Sequence, residues 1–283
     1  MSSVMACIDG SDSSTAVCDY ACWASSSISS PLTFLHVLDR ERYPVPGDFS
    51  GSIGLGSREH LLAELAELDA QRGKVALEQG HSMLDAARAR AIEDGVCNPT
   101  VRQRHGNLAE TVNELQEEIR LLVIGKQGDE KSSIGRQIGS HLESVIRSLS
   151  RPILVTPITY KRPESLMVAF DGSATASKAL ELIATSPLFR HMPVHIVMVG
   201  PDTNDAWDQI KRAKAVLARS GFDITIAIRA GEVEDTLHAY QAEHAIDLLV
   251  MGAYGHSRIR EFLVGSTTTN MLRATDTPIL LLR

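Results

Sequence analysis

The chain has 283 residues, of which 43% are hydrophobic and 22% charged, and its formal net charge is −7. This composition is typical of a globular protein, and the acidic balance argues against a nucleic-acid-binding surface, which needs clustered Lys and Arg. No apolar run approaches the roughly 20 residues of a membrane span, and a strand begins by Val4, too early for a signal peptide. We therefore expect a cytoplasmic protein with no membrane partner.

Short runs of Val, Ile and Leu alternate with helix-like segments along the chain. In the first half the predicted strands are residues 4–8, 32–38, 100–105, 121–124 and 153–156. In the second half they are residues 166–170, 194–199, 224–229, 248–251 and 279–282. Near-continuous apolar strands are buried on both faces, so we predict an α/β fold with parallel sheets, right-handed crossovers and helices on both faces.

The two halves repeat the same order of features. Asp9-Gly10-Ser11 follows the first strand, Asp171-Gly172-Ser173 follows its counterpart, and each half closes with a strand preceded by a proline, Pro152 or Pro278. We therefore predict two tandem domains, residues 1–158 and 159–283, each an open five-stranded unit. The first half also carries an inserted loop and long helix, about residues 43–94. We interpret it as a surface loop and a covering helix, with a ligand lid or partner site as the alternative.

A glycine-rich segment follows the fourth strand of the second half and leads into a helix. Gly252 and Gly255 would let the backbone approach a ligand without a Cβ, and Ser266 is the predicted N-cap of the helix that Gly265 opens. Phosphates bind at such helix starts, and His256 would add positive charge toward them. Across the cleft, the Asp171 carboxylate would accept hydrogen bonds from adenine or ribose. The alternative is an ordinary tight turn followed by an ordinary cap.

These features together resemble the universal stress protein family, and in particular its tandem two-domain members. The resemblance covers nearly the whole chain. Its most specific element is a glycine, two residues, a glycine, nine residues and then Gly-Ser or Gly-Thr, which the second half matches in full. It implies a Rossmann-like fold of the adenine nucleotide alpha hydrolase type with strand order 3-2-1-4-5, and ATP, with or without Mg²⁺, as ligand. It further implies that four residues complete the second-half site: Ala169, Val199, Met251 and Thr267.

The first half departs from the family pattern. Ten residues separate Gly128 from Gly139, one more than the family spacing, and Asp129 and Glu130 place negative charge in the loop, which Lys126, Lys131 and Arg136 could offset. We therefore expect nucleotide mainly in the second half and leave binding in the first half open. The corresponding first-half candidates are Asp9, Val37, Gly125, Gly128, Gly139 and Ser140.

No catalytic motif accompanies the nucleotide pattern. The chain lacks a Gly-x-x-x-x-Gly-Lys-Ser/Thr loop and a convincing nucleophilic triad, so we do not expect an enzyme, and slow ATP hydrolysis would be a side property. Asp12 and Asp171 could hold Mg²⁺, but no metal site is assigned. The expected function is ATP-dependent regulation in a stress response. The alternative is a structural or protein-interaction module whose glycine loop no longer binds nucleotide.

The closing strand of each half is predicted to be a sheet edge, whose unpaired backbone groups must be covered. In family dimers the corresponding edges meet, which implies that residues 153–156 and 279–282 pair within one chain as an intramolecular pseudo-dimer. A homodimer of the whole chain, the stress signal and the protein partner are left open by the sequence.

Overall fold

A computed structural model describes residues 2–39, 57–127, 140–253 and 266–283. Within these ranges, strands and helices alternate as predicted. The strands are β1 (Ser3–Cys7), β2 (Leu32–Leu38), β3 (Thr100–His105), β4 (Ile119–Gly125), β5 (Ile153–Thr156), β6 (Leu166–Ala169), β7 (Val194–Val199), β8 (Ile224–Arg229), β9 (Leu248–Gly252) and β10 (Ile279–Leu282). The predicted strands are therefore correct to within two residues at each end.

Helices lie between most consecutive strands and pack on the two faces of the sheet. They are α1 (Ser14–Ile28), α2 (Ser57–Glu93), α3 (Leu108–Glu114), α4 (Ser140–Ser148), α5 (Ala174–Thr185), α6 (Asn204–Ala218), α7 (Val233–Glu243) and α8 (Ser266–Ala274), with short 3-10 turns at Gln116–Glu118 and Pro187–Phe189. Among the described residues, no helix is both long enough and apolar enough to cross a bilayer.

All ten strands form one sheet in the order β3-β2-β1-β4-β5-β10-β9-β6-β7-β8. Within each half the strands are parallel and follow the predicted order 3-2-1-4-5, so the predicted fold class is correct. The units are joined where β5 and β10 pair antiparallel, with Ile279 opposite Val155 and Leu281 opposite Ile153. The two predicted sheets are thus continuous. Because this one pairing is antiparallel, the carboxyl ends of the strands lie at opposite edges of the sheet in the two halves.

The strands carry apolar side chains on both faces, which produces two cores. Val4 lies in one core and Met5, the next residue, lies in the other, and neither is exposed. Because successive side chains of a strand point to opposite faces, each strand other than the edge strand β3 supplies both cores. Each core also contains residues of both halves: Val168 shares a core with Val4, and Met167 shares one with Met5. The halves are therefore stabilised together.

Helix α2 is the inserted helix predicted for the first half. Its carboxyl-terminal part covers β2 and β3, whereas Leu65 and Leu68 in its first part are about half exposed, at 50% and 51%. Gly80 permits the close approach, because a Cβ there would lie 2.6 Å from His36 Cδ2 and 2.4 Å from Gln103 Nε2. The predicted covering helix is therefore present, and a glycine sets its distance from the sheet.

The connection between β5 and β6 is fastened by Asp247, which precedes β9. Its carboxylate accepts hydrogen bonds from Lys161 Nζ at 2.5 Å, from the Glu164 backbone N–H at 3.2 Å and from Ser165 Oγ at 3.2 Å. The phenol of Tyr20, in α1 of the first half, donates to the Lys161 carbonyl at 3.1 Å. The connection is thus held by side chains from both halves.

Candidate functional site

The second-half candidates gather at the carboxyl ends of neighbouring strands. Ala169 ends β6, Val199 ends β7, and Met251 and Gly252 end β9, and these three strands are adjacent in the order β9-β6-β7. Open α/β sheets bind ligands at this edge. Ala169 and Val199 are half-buried, while Met251 is buried. The structure therefore places these predicted residues along one edge of the sheet.

Asp171 lies immediately beyond β6, and its position is fixed by the turn that follows. Its carboxylate accepts a hydrogen bond from the Ser173 backbone N–H at 2.9 Å, and Gly172 has a φ of +75°, which favours glycine. Ser173 then caps α5 by accepting from the Ala176 N–H at 3.1 Å. The Asp-Gly-Ser motif is thus a turn that leads into a helix and places a carboxylate at the ligand edge.

Helix α8 begins at Ser266, directly after a segment that lies outside the described residues, so the N-cap role of Ser266 stays a prediction. Thr267 is half-buried in the same turn. The buried Thr268 side chain donates to the carbonyl oxygens of Gly252 and Ala253, at 3.3 and 3.2 Å, and so fixes the start of α8 against the end of β9. The sequence analysis did not assign Thr268. Its only signal in the sequence was a hydroxyl side chain in the first turn of the predicted helix.

Several predicted residues lie outside the described parts of the chain. These are Gly255, His256 and Gly265 in the second half, and Gly128 and Gly139 in the first. Their assignment stays a prediction. In the first half, α4 begins at Ser140, which matches the position of Ser266 at the start of α8.

A cavity of about 220 Å³ lies at the carboxyl ends of the first-half strands, and we call it the first-half cavity. Three predicted residues line it: Asp9, Val37 and Gly125. The Asp9 carboxylate accepts hydrogen bonds from the Ser11 N–H at 3.0 Å and from the hydroxyls of Ser11 and Ser14 at 2.6 and 3.1 Å. The structure therefore brings these first-half candidates together around an open volume.

Helix α2 supplies a wall of the first-half cavity that the sequence analysis did not assign. Ala76, Gln79 and Met83 line it, all within about one turn of Gly80. A Cβ on Gly10 would lie 2.2 Å from the Met83 sulfur, so the thioether sits directly over the Asp-Gly-Ser turn. The signal in the sequence for the close packing of α2 on the sheet was Gly80, within a helix rich in Ala, Leu and Glu.

His141 and Cys7 also line the first-half cavity. His141, at the start of α4, lies 3.9 Å from the Asp39 carboxylate, measured from Nε2 to Oδ2. Burial, with a smaller contribution from the neighbouring Asp9 carboxylate, raises the pKa of the Cys7 thiol to about 12, so Cys7 is neutral at physiological pH. Cys7 therefore adds no charge to this lining.

Lys126 does not serve the role suggested for it near the phosphates. Its ammonium donates to the carbonyl oxygens of Arg273 at 3.0 Å and Thr275 at 2.8 Å, at the carboxyl end of α8 in the other half. Cations stabilise helix carboxyl ends because the last carbonyls are unpaired and carry partial negative charge. Arg283 makes a reciprocal contact by donating to the Arg147 carbonyl near the end of α4. Each half thus donates a basic side chain to the carboxyl end of a helix in the other half.

Replacing Lys126 with methionine is expected to lower the free energy of unfolding by about 1–3 kcal/mol, because two carbonyl oxygens in a buried region lose a charged donor. Urea denaturation at neutral pH measures this loss. Lys74→Met, the same change on an exposed part of α2, should alter stability by no more than about 0.5 kcal/mol. Equal effects of the two substitutions would show that the contact between the halves contributes nothing.

Each half is a doubly wound α/β unit with a carboxylate after its first strand and a helix start beside its fourth, so the chain is a tandem α/β protein. Sheets of this class generally bind ligands at their carboxyl edge. The model of the "Universal stress protein family" matches residues 1–157 and 163–283. The chain belongs to this family, and both of its halves are copies of the family's unit. The domain boundary predicted between residues 158 and 159 stays a prediction.

Relatives match over the full length of the chain. The universal stress protein Slr1230 of Synechocystis sp. is 34% identical over 287 aligned positions, covering 100% of each chain. A solved universal stress protein from Archaeoglobus fulgidus has a TM-score of 0.72 at 17% identity, covering 99% of this chain and 98% of that chain. A functionally unknown protein from Pseudomonas aeruginosa has a TM-score of 0.61 at 15% identity, with 99% and 92% covered. These structures share the fold.

Proposed function

We propose that this universal stress protein is an ATP-binding regulator in a stress response and that it binds the nucleotide mainly in its second half. The observation that carries the proposal is the position of Asp171, Met251 and the start of α8 at one edge of the sheet. The sequence places the full glycine pattern between β9 and α8, from Gly252 to Ser266. A carboxylate for the nucleoside thus lies on the same edge as a helix start for the phosphates.

The start of α8 is suited to phosphate because it is held in place before a ligand arrives. The Thr268 hydroxyl bonds the end of β9, so the first N–H groups of α8 are fixed relative to Gly252. Fixed donors bind an anion without the entropy cost of ordering a loop. The two proposed parts of the ligand, base and phosphates, are then recognised by elements that the sheet itself positions.

Calorimetric titration with Mg-ATP tests this proposal. The nucleotide-free protein should bind about one ATP per chain with micromolar affinity, roughly −8 kcal/mol. Gly265→Val should weaken binding at least about a hundredfold, because a β-branched side chain would occupy the space needed by the phosphates. Gly73→Val is the matched control, since a Cβ at Gly73 in α2 meets no atom within 4 Å.

Unchanged affinity in Gly265→Val would contradict the site assignment. No binding by the unaltered protein would favour the alternative, a structural or protein-interaction module. We also propose that the protein binds ATP without turning it over as an enzyme. Phosphate release remaining near the uncatalysed rate during prolonged incubation with saturating Mg-ATP supports this, whereas sustained release abolished by Gly265→Val would contradict it.

We further propose that the two halves act as an intramolecular pseudo-dimer. The pairing of β5 with β10 supports this, because it covers the closing edge of each half with the other. Light scattering that gives the mass of one chain would show that no second chain is needed to cover these edges. Cytoplasmic location stays a prediction, and fractionation of cells that make the protein would test it.

A further inference from the structure

The first-half cavity and the second-half cleft differ at equivalent positions. Val4 pairs with Leu32 in the first half, and Leu166 pairs with Val194 in the second, so residues 36, 37 and 39 correspond to residues 198, 199 and 201. Asp39 therefore has Pro201 as its counterpart. By the common starts of α4 and α8, His141 corresponds to Thr267. The acidic group and the histidine that face each other in the first half are both absent from the equivalent positions of the second.

The charges that line the first-half cavity disfavour a polyanion. Asp9 and Asp39 both line it, and Lys126, which also lines it, directs its ammonium to the carbonyls of Arg273 and Thr275. His141 faces Asp39 at 3.9 Å. A phosphate brought close to the two carboxylates would be repelled, and most strongly where water is excluded.

The same carboxylates favour a ligand rich in hydroxyl and amino donors, because an ionised carboxylate only accepts hydrogen bonds. The Met83 thioether, which lies over Gly10, offers a polarizable surface of the kind that packs well against an aromatic ring. The volume of about 220 Å³ is below the roughly 300–1,000 Å³ of pockets that hold drug-sized ligands. Size, surface and charge therefore point to a small ring compound that carries hydroxyl or amino donors and no negative charge.

We infer that the first-half cavity binds an uncharged nucleoside and that Asp39 makes it discriminate against phosphorylated forms. The inference rests on the proposed function only in taking adenine as the base. Asp9 and Asp39 accept hydrogen bonds from the ribose hydroxyls or the amino group, and Gln79 and Met83 of α2 contact the ligand from the side opposite the sheet. The shorter helix α6 takes the equivalent place in the second half and has Gln209 over Gly172 where α2 has Met83 over Gly10, so α2 determines the specificity of the first half.

The test is calorimetric titration of the full-length Gly265→Val protein with adenosine, AMP and ATP. Adenosine should bind at least about tenfold more tightly than AMP, and ATP should show no measurable binding. Asp39→Asn, which keeps the size and removes the charge, should tighten AMP binding about tenfold and change adenosine binding by less than about threefold. Equal affinities for adenosine and AMP, or an AMP affinity that Asp39→Asn does not alter, would overturn the inference.

A second pair of variants places the ligand in the cavity. Gln79→Trp fills the first-half cavity from the exposed face of α2 and should abolish adenosine binding, whereas Glu78→Trp, at an exposed position that does not line the cavity, should leave it unchanged. When Gln79→Trp is the only substitution and Gly265 is intact, ATP binding should be unchanged. If Gln79→Trp removes ATP binding, or if adenosine does not bind at all, this inference fails. Loss of ATP binding in Gly265→Val separately tests the proposed function of the second half.

Discussion

Asp247→Ala is expected to lower the free energy of unfolding by about 2–4 kcal/mol. The side chain of Asp247 is 10% exposed and accepts hydrogen bonds from Lys161, Glu164 and Ser165. Its removal leaves a backbone donor without a partner in a region that water reaches poorly, and this is more costly than the loss of an exposed ion pair. Chemical denaturation at pH 7 measures the change.

Lys161→Met is the control that separates the hydrogen bonds of Asp247 from its ion pair. The Lys161 side chain is 76% exposed, and exposed ion pairs contribute little. We therefore expect Lys161→Met to be much less damaging than Asp247→Ala. If the lysine substitution were the more destabilising, the fastening of the connection would depend on charge and the hydrogen bonds would be secondary.

The contribution of Asp247 should also depend on pH. Burial raises the pKa of its carboxyl, but hydrogen bonds from Lys161, Glu164 and Ser165 and the charge of Lys161 outweigh it, so the pKa lies below its usual value. A lowered folded-state pKa means that the stabilisation is complete above the unfolded value, about 3.9, and is lost as pH falls through the folded-state pKa. The stability difference between the unaltered protein and Asp247→Ala should therefore shrink below about pH 4. A difference that is constant from pH 7 to pH 3 would contradict this.

Phe189→Ala should lower the free energy of unfolding by about 3–5 kcal/mol and weaken both halves together. Phe189 is fully buried in the 3-10 turn Pro187–Phe189 of the second half, and this turn packs against α1 of the first. Truncation of a buried phenylalanine removes apolar burial and leaves a cavity. Phe222→Ala, the same truncation at a half-buried position, should cost less than half as much.

The two tryptophans make the coupling of the halves measurable. Trp23 lies in α1 of the first half, and Trp207 lies in α6 of the second, where its indole donates to Asp202 at 2.6 Å. Two variants carry Phe189→Ala together with either Trp207→Phe or Trp23→Phe, so that each retains one tryptophan. The fluorescence of Trp23 in the first and of Trp207 in the second should give the same transition midpoint. Separate midpoints in the two halves would mean that the shared cores do not enforce joint unfolding.

The fold could be predicted because its signals are local and occur twice. Apolar runs such as residues 121–124 and 248–251 read as buried strands without knowledge of their neighbours. The turn at Asp171 could also be predicted, because it contains Gly172, and glycine readily adopts the positive φ found there. These features depend on contacts within a few residues, and the structure has them where they were expected, with strand ends shifted by no more than two positions.

The contacts between the halves could not be predicted in the same way. Lys126 follows a strand at the ligand edge, and its sequence context is the same whether it faces a ligand or the end of α8. Its direction is set by the register of β5 against β10, which brings Thr275 within 2.8 Å of its ammonium. Likewise, helix α2 was predicted from its composition. Met83 lines the first-half cavity only because Gly80 lets α2 lie close to β2, and the sequence does not give that distance.

The antiparallel pairing of β5 and β10 has a consequence for recognition by other molecules. Because the strands of the two halves run in opposite directions across this joint, the carboxyl edges of the two halves lie at opposite poles of the protein. A molecule bound at one edge would not contact the other. The carboxyl edges of the two halves are therefore separate surfaces, and two molecules bound one at each edge would not compete for space.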